Sequence, residues 1–381
     1  MSNGLAKRNL VNENKPFMAR YVLTKLSIYT EGLFQRAILQ SGTALMELFK
    51  KNLDQREHAH QVATKLGCSI QKDYKSEDLL KCLQEVPANS FVSVAMEFTE
   101  FGTGPLPFSP RIGEASFPDE PSRLLRDGEY NMVDTMMGIN RDEGGFLTKY
   151  LFNTPNATEY IANNFSSFGH SLLYMDRSDN DVAKQMYHYY LGGIREYNES
   201  DADLLSEMFG DYFFDFPHDY SVELHSRDAL YGKNIYAYEL NHKGDDSAMA
   251  LIPPRHIMKD YVNHADDLMY LFKLLPEFLN DTNKPENKKL ESIMLELWTN
   301  FATHGNPTPD RSLGFTWKPV SPGSTDHLVL KPEPYMEADT RCEQRKFFTS
   351  LNISMNRNLF PDRVGAGPTW KPWRYQELKK C

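Results

Sequence analysis

The sequence predicts an α/β fold with a mainly parallel sheet, and two patterns carry that prediction. Three short apolar runs, each bounded by turn residues or charges, read as buried strands: AILQS (37–41), TMMGIN (135–140) and NIYAYEL (234–240). Long segments with helical spacing separate these runs. Strands that alternate with long helical segments favour a parallel sheet covered by helices.

Helical spacing is clearest in three segments. In QREHAHQVATKLGC (55–68), the apolar residues share one face. In SEDLLKCLQEV (76–86), Ser76 is the expected N-cap, and two acids follow in the first turn. In NKKLESIMLELWTNFATHGNP (287–307), a stripe that includes Trp298 runs along one face until a Gly-x-Pro turn ends the helix. We interpret that stripe as core.

The predicted sheet looks incomplete, because three parallel strands are few for 381 residues. The late segments FTWKPV (315–320) and HLVLKP (327–332) are candidates for edge strands. Residues 1–19 are polar and patternless, and we expect a disordered leader there. A single globular region is expected over residues 20–381, with no internal repeat.

Composition excludes several classes of function. The net charge is −10 with a sequence pI of about 5.6, and no lysine or arginine cluster tracks phosphates, so we expect no nucleic-acid partner. No run of about 18 apolar residues occurs, so we expect no transmembrane segment. The start has no apolar stretch typical of a signal peptide. There is no P-loop, no GxGxxG and no metal-ligand spacing, so we expect neither cofactor nor metal.

The four cysteines leave alternatives open. Cys68 and Cys82 lie close enough in sequence to close a small loop, or they are two reduced thiols. Cys342 has no evident partner, and for Cys381 we favour a free thiol in a frayed tail over an intermolecular disulfide. N-x-S/T sequons, which matter in a secreted chain, occur at Asn156, Asn164, Asn198, Asn280 and Asn352.

The first candidate for chemistry is the segment GINRDEGGFLTKY (138–150). The second strand ends at Asn140, and the acids Asp142 and Glu143 follow with two glycines behind them. Acids at the carboxyl end of a strand in an open α/β sheet lie where such folds bind ligands. The alternative is a charged surface turn.

The second candidate is the segment DYVNHADDLMYLFKLLP (260–276). His264 precedes an amphipathic helical pattern, and a histidine there can act as a general base if a carboxylate holds it. The alternative is a capping or surface histidine. Asp266 and Asp267 suit a helix N-terminus in either case.

In combination, six segments resemble the type-B carboxylesterase and cholinesterase family of α/β-hydrolases, in the family's order. They are GLFQRAILQSG (32–42), the Cys68–Cys82 loop, PFSPRIGEASFPDEPSRLLRDGEY (107–130), GINRDEGGF (138–146), NHADDLMYLF (263–272) and WTNFATHGNPTP (298–309). The resemblance implies an α/β-hydrolase fold, of which the chain carries roughly the C-terminal two thirds.

The resemblance also implies roles for particular residues. Glu143 falls on the acid of the family's catalytic triad and His264 on its histidine, in the chain order acid then histidine that this fold uses. Ser41 and Asp267 fall on positions of a buried polar network behind the triad. A short-loop disulfide between Cys68 and Cys82 is implied as well.

The family's nucleophile is not found in the sequence. The resemblance places a G-x-S-x-G turn just before RYVLTKLSIYTEGLF (20–34), near Lys15, but no glycine in the chain begins that motif. The loop that supplies oxyanion donors is also missing. We therefore expect an incomplete fold and a chain that is inactive as written, from a truncated esterase, with an open sheet edge at residues 37–41.

The function implied is hydrolysis of a small-molecule carboxylic ester with an apolar part. The alternative is a non-catalytic, cholinesterase-like binding or adhesion protein. Aromatic residues in MFGDYFFDFPHDY (208–220) line the ester pocket or belong to the core. Family and sequons indicate a secreted glycoprotein, whereas the chain as written, without a signal peptide, is expected in the cytoplasm.

Overall fold

The structure is a computed structural model, and it describes most of the chain between residues 31 and 364. The described residues are 31–46, 55–68, 75–98, 112, 118–175, 179–245, 247–251, 260–272 and 284–364. The expected leader at residues 1–19, the segment near Lys15 and the tail with Cys381 lie outside the described residues.

A five-stranded sheet lies at the centre of the described residues, with its strands in chain order. The strands are β1 (Arg36–Gln40), β2 (Asp134–Asn140), β3 (Ile235–Leu240), β4 (His327–Leu330) and β5 (Tyr335–Glu337). Strands β1 to β4 are parallel, and β5 runs antiparallel to β4. Within the described residues β1 pairs only with β2, so it forms one edge of this sheet.

Helices connect and cover these strands. They are α1 (Gln55–Lys65), α2 (Ser76–Glu85), α3 (Ala88–Met96), α4 (Pro121–Asp127), α5 (Gly145–Asn153), α6 (Ala157–Phe168), α7 (Asn180–Leu191), α8 (Ala202–Gly210), α9 (Phe216–Ser226), α10 (Leu268–Leu271), α11 (Pro285–His304), α12 (Cys342–Ser350) and α13 (Ser354–Leu359). A wider, π-helical turn, Asp211–Asp215, joins α8 to α9. Among the described residues no helix is long and apolar enough to cross a membrane.

The three predicted strands are confirmed to within a residue or two. Of the two late segments proposed as edge strands, one contains a strand and the other does not. HLVLKP contains β4, which is an interior strand because β5 pairs beyond it. FTWKPV is not a strand. Its Trp317 is buried against the sheet, and the amide of Val320 donates to the carbonyl of Ile235 at 2.7 Å. Trp317 is buried because it packs on the sheet, and not because its segment pairs as a strand. An apolar run in the sequence does not distinguish these two causes of burial.

The three predicted helices are also present, with one correction. Ser76 is the first helical residue of α2, and Lys75 occupies the N-cap without a side-chain bond. The stripe on α11 is core as expected, with Trp298 2% exposed, and Gly305 ends the helix in the left-handed conformation with φ 70°.

Alternate residues of the strands face two separate apolar cores. On β2, Met136 packs on the side of α11, whereas Met137 packs on the side of the helices between β2 and β3. Both methionines are fully buried. A strand buried on both faces is the environment in which parallel sheets occur, and the layered arrangement is that of an α/β fold.

A disulfide joins the end of α1 to α2, as the resemblance implied. Cys68 and Cys82 are bonded with their Cα atoms 5.9 Å apart. They belong to a small satellite core with Ala63 and Leu79. Cys342 is also disulfide-bonded, so the interpretation of Cys342 as a cysteine without a partner is wrong.

Candidate active site

The carboxyl ends of the first two strands meet at one edge of the sheet, and the candidate residues lie there. Ser41 directly follows β1, and its amide donates to the carbonyl of Gly138 on β2 at 2.8 Å. Glu143 lies three residues after the end of β2. In an open α/β sheet this edge is where ligands bind.

Glu143 and His264 form a hydrogen-bonded pair, although 121 residues separate them. Nδ1 of His264 lies 2.6 Å from Oε2 of Glu143. The glutamate side chain is fully buried, and 12% of the histidine side chain is exposed. Because Glu143 is buried, the alternative that it belongs to a charged surface turn is wrong. The geometry suits an imidazole whose orientation is fixed through one ring nitrogen and whose other nitrogen faces a reacting group.

The second oxygen of Glu143 is held as firmly as the first. Oε1 accepts a hydrogen bond from the amide of Asn140 at 2.7 Å and another from the hydroxyl of Ser41. Ser41 adopts φ 51°, in the left-handed region that side-chain-bearing residues rarely occupy. Its hydroxyl therefore faces Glu143 at the cost of backbone strain, and it lies behind the pair.

Asp267 forms a network on the same side. Its carboxylate accepts from Nε2 of Gln40 at 2.6 Å and from the hydroxyl of Tyr238 at 3.5 Å. Gly138 leaves room for that tyrosine, because a Cβ at position 138 would overlap the ring. Asp267 stands at the N-cap of α10 but makes no side-chain cap bond. Its place at the start of the helix agrees with the expectation, although its carboxylate bonds to other elements.

The surroundings of His264 favour its protonated form. Burial disfavours the charged imidazolium, but the charge and hydrogen bond of Glu143, reinforced by Asp267 and Asp266, outweigh it and raise the pKa of His264. Two aromatic rings pack on the imidazole, Phe146 at 4.9 Å and Phe214 at 5.0 Å between ring centroids.

A short parallel bridge joins the acid loop to the histidine loop. The amide of Asp142 donates to the carbonyl of Val262 at 3.0 Å, and the amide of Val262 donates to Oδ2 of Asp142 at 2.7 Å. Nδ2 of Asn140 adds a bond to the carbonyl of Asn263 at 2.7 Å. These bonds fix the two loops relative to each other, so the pair forms only when the chain folds.

Sequence reasoning missed several contributors to the site. Phe146 is the last residue of the segment GINRDEGGF, and its position three residues after Glu143 was a signal that could have been used. Gln40 and Asn263 carried no comparable signal, because their partners lie far away in sequence. The segment at 208–220 is mainly core, and from it Phe214 reaches the imidazole.

Within the described part of the chain, no group of three histidine, cysteine or acidic side chains is arranged to hold a metal ion. The sheet, the buried acid and the imidazole together define an α/β protein with an acid–histidine pair at the carboxyl edge of its sheet. A profile of the carboxylesterase family matches residues 20–348. The chain belongs to the carboxylesterase family, whose fold is the α/β-hydrolase fold.

Curated relatives agree with that assignment. The chain is 29% identical over 310 residues to juvenile hormone esterase of Tribolium castaneum, covering 76% of this chain and 52% of that protein. It is 29% identical over 287 residues to the medium-chain fatty acyl-CoA hydrolase precursor of Anas platyrhynchos, covering 74% and 47%. Human neuroligin-3 is 27% identical over 296 residues, covering 75% and 32%. The chain spans about half the length of the hydrolases it matches.

Proposed function

We propose that Glu143 and His264 are the acid and base of a carboxylic ester hydrolase site. The observation that carries the proposal is the 2.6 Å contact between Nδ1 of His264 and a fully buried Glu143 carboxylate. In this role Nε2 of His264 takes the proton of an attacking oxygen and returns it to the leaving alcohol. Glu143 orients the ring and stabilises the imidazolium.

Ser41 is not placed to act as the nucleophile of this pair. The hydroxyl of Ser41 donates to Glu143 rather than to His264, and Ser41 is 2% exposed. The sequence contains no G-x-S-x-G. We therefore propose that no side chain described beside the pair is its nucleophile, and that these 381 residues alone form no acyl-enzyme.

Turnover of an aryl acetate tests the second half of this proposal. The purified chain is compared with His264→Ala and Glu143→Gln, using release of 4-nitrophenol at neutral pH. We expect all three to show the same background rate, because an acid–base pair without a nucleophile and oxyanion donors gives little catalysis. A rate that His264→Ala abolishes would show that a side chain of this chain performs the attack.

Fluorophosphonate labelling tests the first half, on any longer product of the same gene whose sequence carries a G-x-S-x-G. Labelling of that serine is expected, and Glu143→Gln is expected to lower ester turnover by on the order of 10⁴-fold because the imidazole loses its orientation. If that serine is labelled but ester turnover changes with neither Glu143→Gln nor His264→Ala, the assigned roles of Glu143 and His264 are contradicted.

The substrate class that we propose is an ester with an apolar acyl or alcohol part. Phe146 and Phe214 place apolar surface directly beside the imidazole. Two of the relatives are named juvenile hormone esterase and fatty acyl-CoA hydrolase, and the fatty acyl group in the second name is an apolar chain. Turnover of a 4-nitrophenyl butyrate by the longer product should exceed that of the acetate, and a preference for the acetate would contradict an apolar site.

A non-catalytic binding protein is the second candidate. Neuroligin-3, whose name states no hydrolytic activity, covers as much of this chain as the hydrolases do. In a longer product, a residue other than serine at the nucleophile position, together with absence of fluorophosphonate labelling, would favour this candidate. The retained Glu143–His264 contact supports the hydrolase instead.

We also propose that the protein follows the secretory route as a glycoprotein. Two observations support this: Cys68–Cys82 is a disulfide, a bond typical of secreted proteins, and each sequon asparagine within the described residues is exposed. Those asparagines are Asn156, Asn164, Asn198 and Asn352, whereas Asn280 lies outside the described residues. Endoglycosidase treatment of protein secreted from eukaryotic cells should increase its mobility on a gel. An unchanged mobility would contradict the proposal.

A further inference from the structure

The turn that carries His264 has a strained backbone. Ala265, the next residue, adopts φ 70°, in the left-handed region. For a residue with a Cβ this conformation is disfavoured, and it persists only where the surrounding structure holds it. Something beyond local preference must therefore hold the imidazole in front of Glu143.

Asp266 closes this turn from within. Its Oδ2 accepts a hydrogen bond from the amide of Asn263 at 2.8 Å, so the carboxylate bridges the residues on either side of His264 and Ala265. Asp266 is 5% exposed. A buried carboxylate that accepts hydrogen bonds from backbone amides fixes the local backbone conformation, and its short side chain loses little entropy in doing so.

The other oxygen of Asp266 ties the turn to a distant segment. Oδ1 accepts from the hydroxyl of Ser247 at 2.7 Å and from the amide of Ala248 at 2.9 Å. The Ser247 oxygen itself accepts from the amide of Met249 at 3.2 Å and from Nδ2 of Asn263 at 3.3 Å. Its single proton is therefore directed at Asp266, and all three partners of the carboxylate are donors.

The far segment is anchored in turn. Nζ of Lys149, on α5, donates to the carbonyl of Met249 at 3.1 Å. Because α5 begins two residues after Glu143, the acid and the support of the histidine turn lie close together on one segment of the chain. The turn is thus fixed on two sides, by the hydrogen bonds between Asp142 and Val262 and by Asp266.

We propose that Asp266 is a positioning residue that holds the strained turn at Ala265 and thereby keeps Nδ1 of His264 on Glu143. The inference deepens the proposed function, since it assigns a support to that site. Its structural content concerns the Glu143–His264 contact and does not require that the site hydrolyse an ester.

The test follows the Nδ1 proton of His264 by NMR in the chain itself, with isotope-labelled histidine, at about pH 9. Burial raises the pKa of Asp266 to about 7, so at that pH Asp266 is ionised and accepts all three hydrogen bonds. In Asp266→Asn, the side-chain N–H group of the new asparagine must face at least one of the groups that donate hydrogen bonds to the wild-type carboxylate. We expect the Nδ1 proton to exchange with water roughly tenfold faster than in the wild type. We also expect the pKa of His264 to fall.

Two further variants separate positioning from charge. Ser247→Ala keeps the Asp266 carboxylate but removes one of its donors, and a smaller acceleration of exchange is expected. In Ala265→Gly/Asp266→Asn the charge is still absent, but glycine adopts the left-handed conformation without strain. Exchange should therefore return toward the wild-type rate in the double variant.

Slow exchange in Asp266→Asn, equal to that of the wild type, would overturn the proposal. So would fast exchange that Ala265→Gly leaves unchanged, because the effect would then come from lost charge. If Asp266→Asn does not fold, Ser247→Ala decides: unaltered exchange there overturns the proposal. Failure of the proposed function shows instead in ester turnover and in fluorophosphonate labelling, which these spectra do not measure.

Discussion

The approach of α5 to α8 at two glycines offers the sharpest test of how Glu143 is held. Gly144 directly follows Glu143 and has ordinary helical angles, φ −74° and ψ −9°. A Cβ built there would lie closer than 3.0 Å to the carbonyl oxygen of Ser206 and to the amide nitrogen of Gly210. Real Cβ atoms essentially never come so close to other atoms, and both neighbours are backbone, so one helix must move.

The expected loss for Gly144→Ala follows from that overlap. Overpacking against rigid backbone lies at the upper end of the usual range, about 3 kcal/mol. The lower entropy of the unfolded chain returns up to about 1 kcal/mol. We expect the free energy of unfolding to fall by about 2 kcal/mol, measured by urea denaturation with circular dichroism, and the Nδ1 proton of His264 to exchange faster because Glu143 moves with Gly144.

Gly210→Ala is the matched control from the other side of the same contact. Its Cβ would meet the amide nitrogen of Gly144 at 3.3 Å, which a small shift relieves, and the Cα of Gly144 at 3.9 Å, an ordinary contact distance. Alanine also suits a helix better than glycine by about 1 kcal/mol, so this variant should be near neutral. Equal unfolding free energies for the two variants, within about 0.5 kcal/mol, would refute the reasoning, since the asymmetry of the contact would then have no energetic consequence.

Three more predictions concern the charges and the disulfide. Asp219→Asn should lower the free energy of unfolding by about 3 kcal/mol in urea denaturation, because the buried carboxylate accepts from Arg341 and Arg345 at 2.8 Å. Each arginine would keep only its second carboxylate partner, Glu239 or Asp339; a loss below about 1 kcal/mol would contradict a buried network. Burial raises the pKa of Asp266 from 3.8 to about 7. The folded state therefore binds this proton more tightly than the unfolded chain does, and stability should fall by up to about 4 kcal/mol between about pH 4 and about pH 7. Asp266→Asn should flatten that slope in a series of denaturations, and an unchanged slope would contradict the assignment. Cys68→Ser opens a loop of sequence separation 14 and should cost about 3 kcal/mol, with faster amide exchange in α1 and α2 but not in β2 and β3, because the disulfide lies in a separate small core; uniform acceleration across the sheet would show that the two cores unfold together.

The sequence determined the elements that depend on local periodicity. Strands β2 and β3 read as continuous apolar runs because both of their faces are buried. These two strands and the edge strand β1 were all predicted nearly to the residue. The Trp298 stripe likewise stands out because a helix with one face in the core repeats its apolar residues every three or four positions. Glu143 and His264 were singled out by their place in family motifs and by their order in the chain. No local sequence pattern distinguishes a catalytic histidine from a surface histidine.

Only the tertiary structure decided which distant groups meet. Strand β5 is three residues long and has no periodic signal, whereas FTWKPV has an apolar run and packs without pairing. The carboxylates of Asp266 and Asp267 are neighbours in sequence, yet one accepts from Ser247 and Ala248 and the other from Gln40, on different elements. The physical reason is that a hydrogen bond depends on positions in space, and the positions of residues more than a hundred apart are set by the packing of the whole sheet rather than by the residues between them.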